Sequence, residues 1–86
     1  MRVLNLVLKY KWYNMIESGV KTEEYREIKP YWTKRIGIMD AVKFSYGYTK
    51  RTMMFECRGI TIGKGNPEWG APNEDVYIVK LGKRIK

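Results

Sequence analysis

The spacing of apolar and polar residues changes several times along the chain, and each spacing predicts a different element. Residues 3–8 are a short apolar run, interrupted by Asn5, which predicts a strand. In residues 9–18 the apolar side chains recur every three or four positions, which predicts a helix, and Gly19 suits its left-handed end. Residues 21–27 alternate between two faces, which predicts a second strand.

The rest of the chain has the alternation of a β structure. Pro30 cannot donate to a strand ladder, so it ends the second strand and opens a short helical turn. Alternation predicts further strands at residues 41–46, 52–62 and 76–81, with Gly59 as a bulge in the longest. Residues 63–75 are rich in Gly, Pro and Asn and predict a loop, and the basic tail at 82–86 is a candidate for a further strand.

About five strands and one helix predict a single domain over residues 1–86, of α+β class and mainly β. The helix lies between strands 1 and 2. Closing the strands into a small β-barrel removes exposed edges, so we expect a barrel with the helix at one end. We place Trp12, on the apolar helix face, in the core, together with Cys57. The loop containing Trp69 is expected to pack against the barrel.

The charge balance favours an anionic partner. The net charge is +8, from 17 Lys and Arg against 9 Asp and Glu, which suits RNA, DNA, a nucleotide or an acidic surface, although cations also simply keep a protein soluble.

The composition also excludes several kinds of chemistry. Cys57 is the only cysteine and there is no histidine, which rules out an internal disulfide, a Cys/His zinc site and a histidine general base. We therefore expect no metal, and we expect no cofactor, since the loop at residues 63–70 lacks the spacing of a phosphate loop or a dinucleotide fingerprint. The apolar start is too short for a signal peptide or a membrane span. We therefore expect a cytoplasmic protein with no membrane contact.

Charged side chains of both signs crowd the start of the second strand. Glu24 and Arg26 fall on one strand face and can flank one pocket, with Lys21 placed to swing over its rim. The guanidinium suits phosphate or a base's acceptor edge, the carboxylate accepts from exocyclic amines, and the ammonium suits phosphate. The alternative is that Glu24 and Arg26 form an ordinary structural ion pair.

Aromatic residues next to cations are a second candidate for ligand contact. Tyr31 and Trp32 lie between basic residues, as in a stacking platform for single-stranded nucleic acid, and a core position is an equal alternative. Asn5 is an unusual polar residue in its strand and is expected to face the same cleft. The turn at residues 46–51 has two tyrosines and two cations and is either a phosphate contact or a solvated hairpin tip.

The spacing Gly19-x-Lys21-x-x-Glu24-x-Arg26, between a helix and a strand, resembles the motif of the ASCH domain family. The lead-in beginning at Lys11, with its aromatic residues and apolar pair, is similar as well. This resemblance implies a PUA-like fold with a cleft beside the helix, and a link to RNA or modified nucleotides. It adds Lys11 to the candidate ligand-binding residues.

Three functions remain open from the sequence. The favoured one is a module that binds RNA or a nucleotide in a basic cleft. The alternative is a small amidohydrolase acting on an acylated nucleoside such as acetylcytidine, with Lys21 and Glu24 as its acid–base pair. The enzymes that this motif resembles place a threonine nucleophile where this chain has Glu24, which argues against catalysis. A protein-interaction module is the weakest of the three.

Overall fold

One sheet of five strands, crossed by two short helices, makes up the protein in a computed structural model that describes residues 1–86. The elements follow one another as β1 (Val3–Leu8), α1 (Tyr10–Glu17), β2 (Glu23–Glu27), α2 (Pro30–Arg35), β3 (Ala41–Tyr46), β4 (Thr52–Lys64) and β5 (Asp75–Arg84). A single 3-10 turn, Pro67–Trp69, lies between the last two strands. The predicted α+β, mainly β, fold with a helix between strands 1 and 2 is confirmed.

The strand order, β1-β3-β4-β5-β2, puts the first two strands of the chain at the two edges of the sheet. Only β1 and β3 are parallel, and the other neighbours are antiparallel. The sheet curls into a half-barrel. Its two edges meet at a seam, where Arg26 of β2 donates to the carbonyl of Val7 in β1 at 3.1 Å. A side chain, not a backbone ladder, therefore bridges the two edges.

The core fills the inside of this curl. It combines alternate residues of the strands with one face of α1, namely Leu4, Leu6, Leu8, Tyr13, Ile16, Val42, Phe44, Met53, Phe55, Val79 and Leu81. Full burial of each large apolar side chain contributes about 1.5–3 kcal/mol. The helix is rotated from the predicted face, since Tyr13 is fully buried whereas Trp12 is only half-buried. The core position predicted for Trp12 is therefore wrong, and Cys57 is likewise half-buried.

Two irregularities shape the long strands. The register between β4 and β5 shifts on both sides of Cys57, and Gly59 has a φ of 143°, so the predicted bulge is confirmed. The basic tail is not a separate strand, because β5 continues to Arg84, which pairs with Phe55. β4 likewise runs two residues further than predicted. No helix has the length and apolar character needed to cross a membrane.

The loop between β4 and β5 packs against the barrel, as predicted. The amide of Asn66 donates to the Tyr25 hydroxyl at 3.0 Å. A Cβ at Gly65 would lie 2.5 Å from the Tyr25 ring, and one at Gly70 would lie 2.8 Å from Trp12. Glycine is therefore needed at both positions for the loop to approach β2 and α1 this closely.

Candidate functional site

A cleft with a volume of about 460 Å³ opens along the seam. We call it the seam cleft, and its lining residues are Asn5, Val7, Leu8, Lys9, Arg26, Tyr31, Trp32, Gly47 and Tyr48. The volume falls within the range of about 300–1,000 Å³ typical of small-molecule sites. Four of the predicted site residues, Asn5, Arg26, Tyr31 and Trp32, thus meet in one cavity although they come from β1, β2 and α2.

Arg26 lies in this cleft with part of its hydrogen-bonding capacity unused. Its Nη2 donates to Glu24 Oε2 at 2.8 Å and to the Val7 carbonyl at 3.1 Å, and its Cζ lies 4.9 Å from the Trp32 ring centroid. Both hydrogen bonds use Nη2, and the buried Nε has no partner. Because a guanidinium has five N–H donors, the two on Nη1 remain for an anion or an acceptor edge, while the Nη2 contacts hold the group in place.

Lys21 is buried and does not line the cleft. Its side chain is 1% exposed, and its Nζ lies 2.9 Å from Glu24 Oε1 and 2.6 Å from the Trp69 carbonyl. The ammonium also lies 4.6 Å from the ring centroid of Trp12 and 5.3 Å from that of Tyr25, in cation–π contact. These contacts together hold the charged side chain inside, so the predicted swing over the rim is wrong.

Glu24 joins the two cations. Its Oε1 pairs with Lys21 and its Oε2 with Arg26, and the side chain is only 7% exposed. Both oxygens therefore face cations of the protein, and Glu24 does not line the cleft in which the base was expected. The predicted alternative, an ion pair between Glu24 and Arg26, does form, yet Arg26 still lines the cleft.

The three linked charges, which we call the charge triad, leave a surplus of positive charge beside the cleft. One carboxylate offsets only one of the two cations, Lys21 and Arg26. Lys9 adds a further cation to the lining, and none of the nine lining residues is acidic. Because charge interactions are stronger in a partly buried site than in water, this surplus favours an anionic ligand.

Helix α2 supplies an aromatic wall. Pro30 stands in its first turn, and Tyr31 and Trp32 meet edge to face with centroids 4.8 Å apart. The Arg35 guanidinium lies 3.6 Å from the Tyr31 ring centroid, and its Nη1 donates to the Tyr31 backbone carbonyl at 2.8 Å. Trp32 packs against the core while also lining the cleft, and Tyr31 remains half-exposed. Trp32 therefore does pack against the core, and its ligand contact stays a prediction.

Three predicted site residues, Lys11, Lys21 and Glu24, do not line the cleft. Lys11 is exposed on α1, 4.7 Å from the Trp12 centroid. Five lining residues were not predicted as site residues: the strand residues Val7 and Leu8, and Lys9, Gly47 and Tyr48. The signal for the last two was the pair of tyrosines with cations in the turn at residues 46–51, whereas nothing in the sequence marks Lys9.

Tyr25 of β2 links this strand to the loop between β4 and β5. Its hydroxyl donates to Glu23 Oε1 at 2.8 Å and accepts from the Asn66 amide at 3.0 Å. Burial, with smaller contributions from the Glu23 hydrogen bond and charge, raises the pKa of Tyr25 to about 12. The phenol therefore stays protonated, and remains a donor, well beyond neutral pH.

No family model matches the chain, and no curated protein shows a significant match to it. No group of three or more His, Cys, Asp or Glu side chains is placed to hold a metal ion. The seam cleft is therefore the feature of this protein that points to a function.

Proposed function

We propose that this chain is an ASCH-like, PUA-like domain that binds RNA or a nucleotide in the seam cleft. The observation that carries the proposal is Arg26, a cation fixed by Glu24, Val7 and Trp32 that lines the cleft and whose Nη1 makes no hydrogen bond in the protein. A ligand that brings phosphate or carbonyl oxygens to this guanidinium would gain charge-assisted hydrogen bonds without ordering a mobile side chain.

The rest of the lining suits the other parts of a nucleotide. Tyr31 and Trp32 offer aromatic surface to a base, and Tyr48 offers more from a different element. Asn5 is exposed in the cleft, and its amide has both a donor and an acceptor for a base edge. Lys9 adds charge for phosphate. The single cysteine, Cys57, supports a reducing, cytoplasmic setting for such a ligand.

The amidohydrolase alternative has no support in this geometry. Lys21 and Glu24, its proposed acid–base pair, form a buried salt bridge with each other and do not line the cleft. A general base has to reach the proton that it removes, directly or through one water. Release of acetate from acetylcytidine by the purified protein would nevertheless reinstate this alternative.

The test is a titration with the four nucleoside 5′-monophosphates and their nucleosides, followed by tryptophan fluorescence and chemical shifts. Arg26→Ala should weaken nucleotide binding by at least about 10-fold, because hydrogen bonds to a charged group contribute about 1.5–3 kcal/mol. Arg26→Lys keeps the charge but lacks the planar guanidinium, so its nucleotide affinity should lie between that of Arg26→Ala and that of the unsubstituted protein. Binding should also weaken as salt is raised.

Arg58→Ala is the matched control, since it removes the same charge from an exposed arginine outside the cleft. It should leave the affinity within about 2-fold, as expected for a distant surface charge screened by salt. Thermal melts show whether each variant is folded. If folded Arg26→Ala binds as tightly as the unsubstituted protein, the proposal is refuted.

A further inference from the structure

A second cavity, of about 410 Å³, adjoins the seam cleft. Its lining residues are Lys9, Tyr10, Gly47, Tyr48 and Thr49. Lys9, Gly47 and Tyr48 line both cavities, so the two form one continuous surface. We call the second cavity the Tyr10 shelf. It is open to solvent from the side of α1 and the β3–β4 turn.

The Tyr10 ring is presented as a supported platform. It stacks on Tyr46 with centroids 4.3 Å apart and planes 12° from parallel, yet Tyr10 remains 54% exposed. Tyr46 in turn meets the edge of the buried Tyr13 ring at 5.0 Å. The Arg51 guanidinium lies 4.9 Å from the Tyr46 centroid and is clamped by Glu17, with hydrogen bonds of 2.7 and 2.9 Å. A further ring placed on Tyr10 would continue an existing stack.

The turn is shaped to lie against this ring. Gly47 has a φ of 56°, and its amide donates to the Leu8 carbonyl at 2.8 Å. A Cβ at this position would lie 2.7 Å from Tyr10 Cε1. Only glycine allows both the left-handed backbone and the close approach, so the turn and the ring form one built surface. Tyr48, the next residue, is 97% exposed.

We infer that the protein binds single-stranded nucleic acid over at least two consecutive nucleotides, with one base in the seam cleft and the next on the Tyr10 shelf. This inference rests on the proposed function and extends it from a nucleotide to a strand. Lys9, exposed where the two cavities join, is positioned for the phosphate between the two nucleotides. Tyr48, at the same junction, can contact either base.

Charge favours nucleic acid over a peptide as the occupant. No acidic residue lines either cavity, and the chain carries a net charge of +8. Aromatic surfaces alternating with cations suit a strand that alternates bases with phosphates. A duplex is a poorer fit, because its bases are already stacked on one another and cannot reach a ring platform.

The test compares a nucleoside monophosphate with di- and trinucleotides of uridine, and with their deoxy counterparts, in binding to the intact protein. The affinity should rise by about 5- to 150-fold from the mononucleotide to the longer strands, which corresponds to stacking of one more base. Tyr10→Leu should remove most of this gain. Tyr10→Phe keeps the ring and should retain the gain. A gain in affinity with strand length for RNA alone would identify the bound strand as RNA. An equal gain for DNA would show that the shelf contacts only the base and the phosphate.

The outcomes separate this inference from the proposed function. If the mononucleotide binds and Arg26→Ala abolishes that binding, but strand length has no effect, only the Tyr10 shelf is refuted. The same holds if a gain with length survives Tyr10→Leu in full. If neither mononucleotides nor strands bind, both proposals are refuted together. Lys9→Ala should reduce the gain in affinity with strand length. Its matched control is Lys64→Ala, which removes an exposed lysine outside both cavities.

Discussion

Replacing Glu24 by glutamine perturbs the most deeply buried charges in the protein. The carboxylate holds the ammonium of Lys21 at 2.9 Å and the guanidinium of Arg26 at 2.8 Å. Glutamine has nearly the same shape but no charge. Its one oxygen can accept from only one of the two cations, and its amide group then points a donor at the other.

The expected cost follows from the burial of Lys21. With its side chain 1% exposed, Lys21 keeps only the Trp69 carbonyl and the ring faces of Trp12 and Tyr25 once the carboxylate is gone. Breaking a buried ion pair by removing one partner costs about 3–5 kcal/mol. Stabilities of about 0.05–0.15 kcal/mol per residue suggest a total of about 4–13 kcal/mol for 86 residues, so the loss is a large fraction.

The assay is urea and thermal denaturation of Glu24→Gln beside Glu27→Gln. Glu27 pairs with Lys29 at 3.9 Å, and the two side chains are 69% and 50% exposed, so this control should cost less than about 1 kcal/mol. A loss of 3 kcal/mol should lower the Tm by about 12–24 °C. Adding Lys21→Met to Glu24→Gln should restore part of the stability, because no unpaired buried ammonium then remains. Equal losses for the two glutamine variants would refute this account of the charge triad.

Three further predictions follow from single contacts. The pKa of Tyr25 rises from 10.0 to about 12 on folding, so between these pH values the folded state keeps a proton that the unfolded chain loses. The free energy of unfolding should therefore fall from pH 10 to pH 12, and it should fall less in Tyr25→Phe. Equal slopes of unfolding free energy against pH for the two proteins would contradict this. Gly65→Ala places a Cβ 2.5 Å from the Tyr25 ring and should lower the free energy of unfolding by about 1–3 kcal/mol in urea denaturation. The control Gly63→Ala, whose Cβ would lie 3.6 Å from its nearest neighbour, should lower it by less than about 1 kcal/mol. The buried Tyr13 hydroxyl makes no hydrogen bond within the protein, although the Arg51 guanidinium lies 5.3 Å from the Tyr13 ring centroid. Tyr13→Phe should therefore lower the free energy of unfolding by less than about 1 kcal/mol, and a larger loss in urea denaturation would contradict this.

Local patterns were sufficient to predict most of the fold. A short apolar run located β1 and alternation located β3, both with their observed bounds, and the conformational needs of Gly19 and Gly59 marked a helix end and a bulge. The rotation of α1 was missed because both Trp12 and Tyr13 are large aromatic residues, and periodicity alone does not decide which of two neighbours faces the sheet. That choice depends on how the helix packs over β1 and β3.

The candidate site was harder to predict, because it is assembled across the seam. Alternation did place Glu24 and Arg26 on one face of β2. The buried position of Lys21 depends on the carbonyl of Trp69, 48 residues away, and on a loop whose path no local pattern specifies. Lys9 and Tyr48 join the cleft only because the sheet curls far enough to bring its edge strands together.

The most direct test of the seam cleft is the side-chain Nε–H resonance of Arg26 during titration with a nucleoside monophosphate. The Arg26 Nε is buried and has no partner in the free protein, so a ligand that engages the guanidinium should shift this signal in a saturable way. The Arg58 signal is an internal reference, since this exposed arginine lines neither the seam cleft nor the Tyr10 shelf. We expect a saturating shift at Arg26 with little change at Arg58. An unmoved Arg26 signal while the nucleotide binds elsewhere would contradict this expectation.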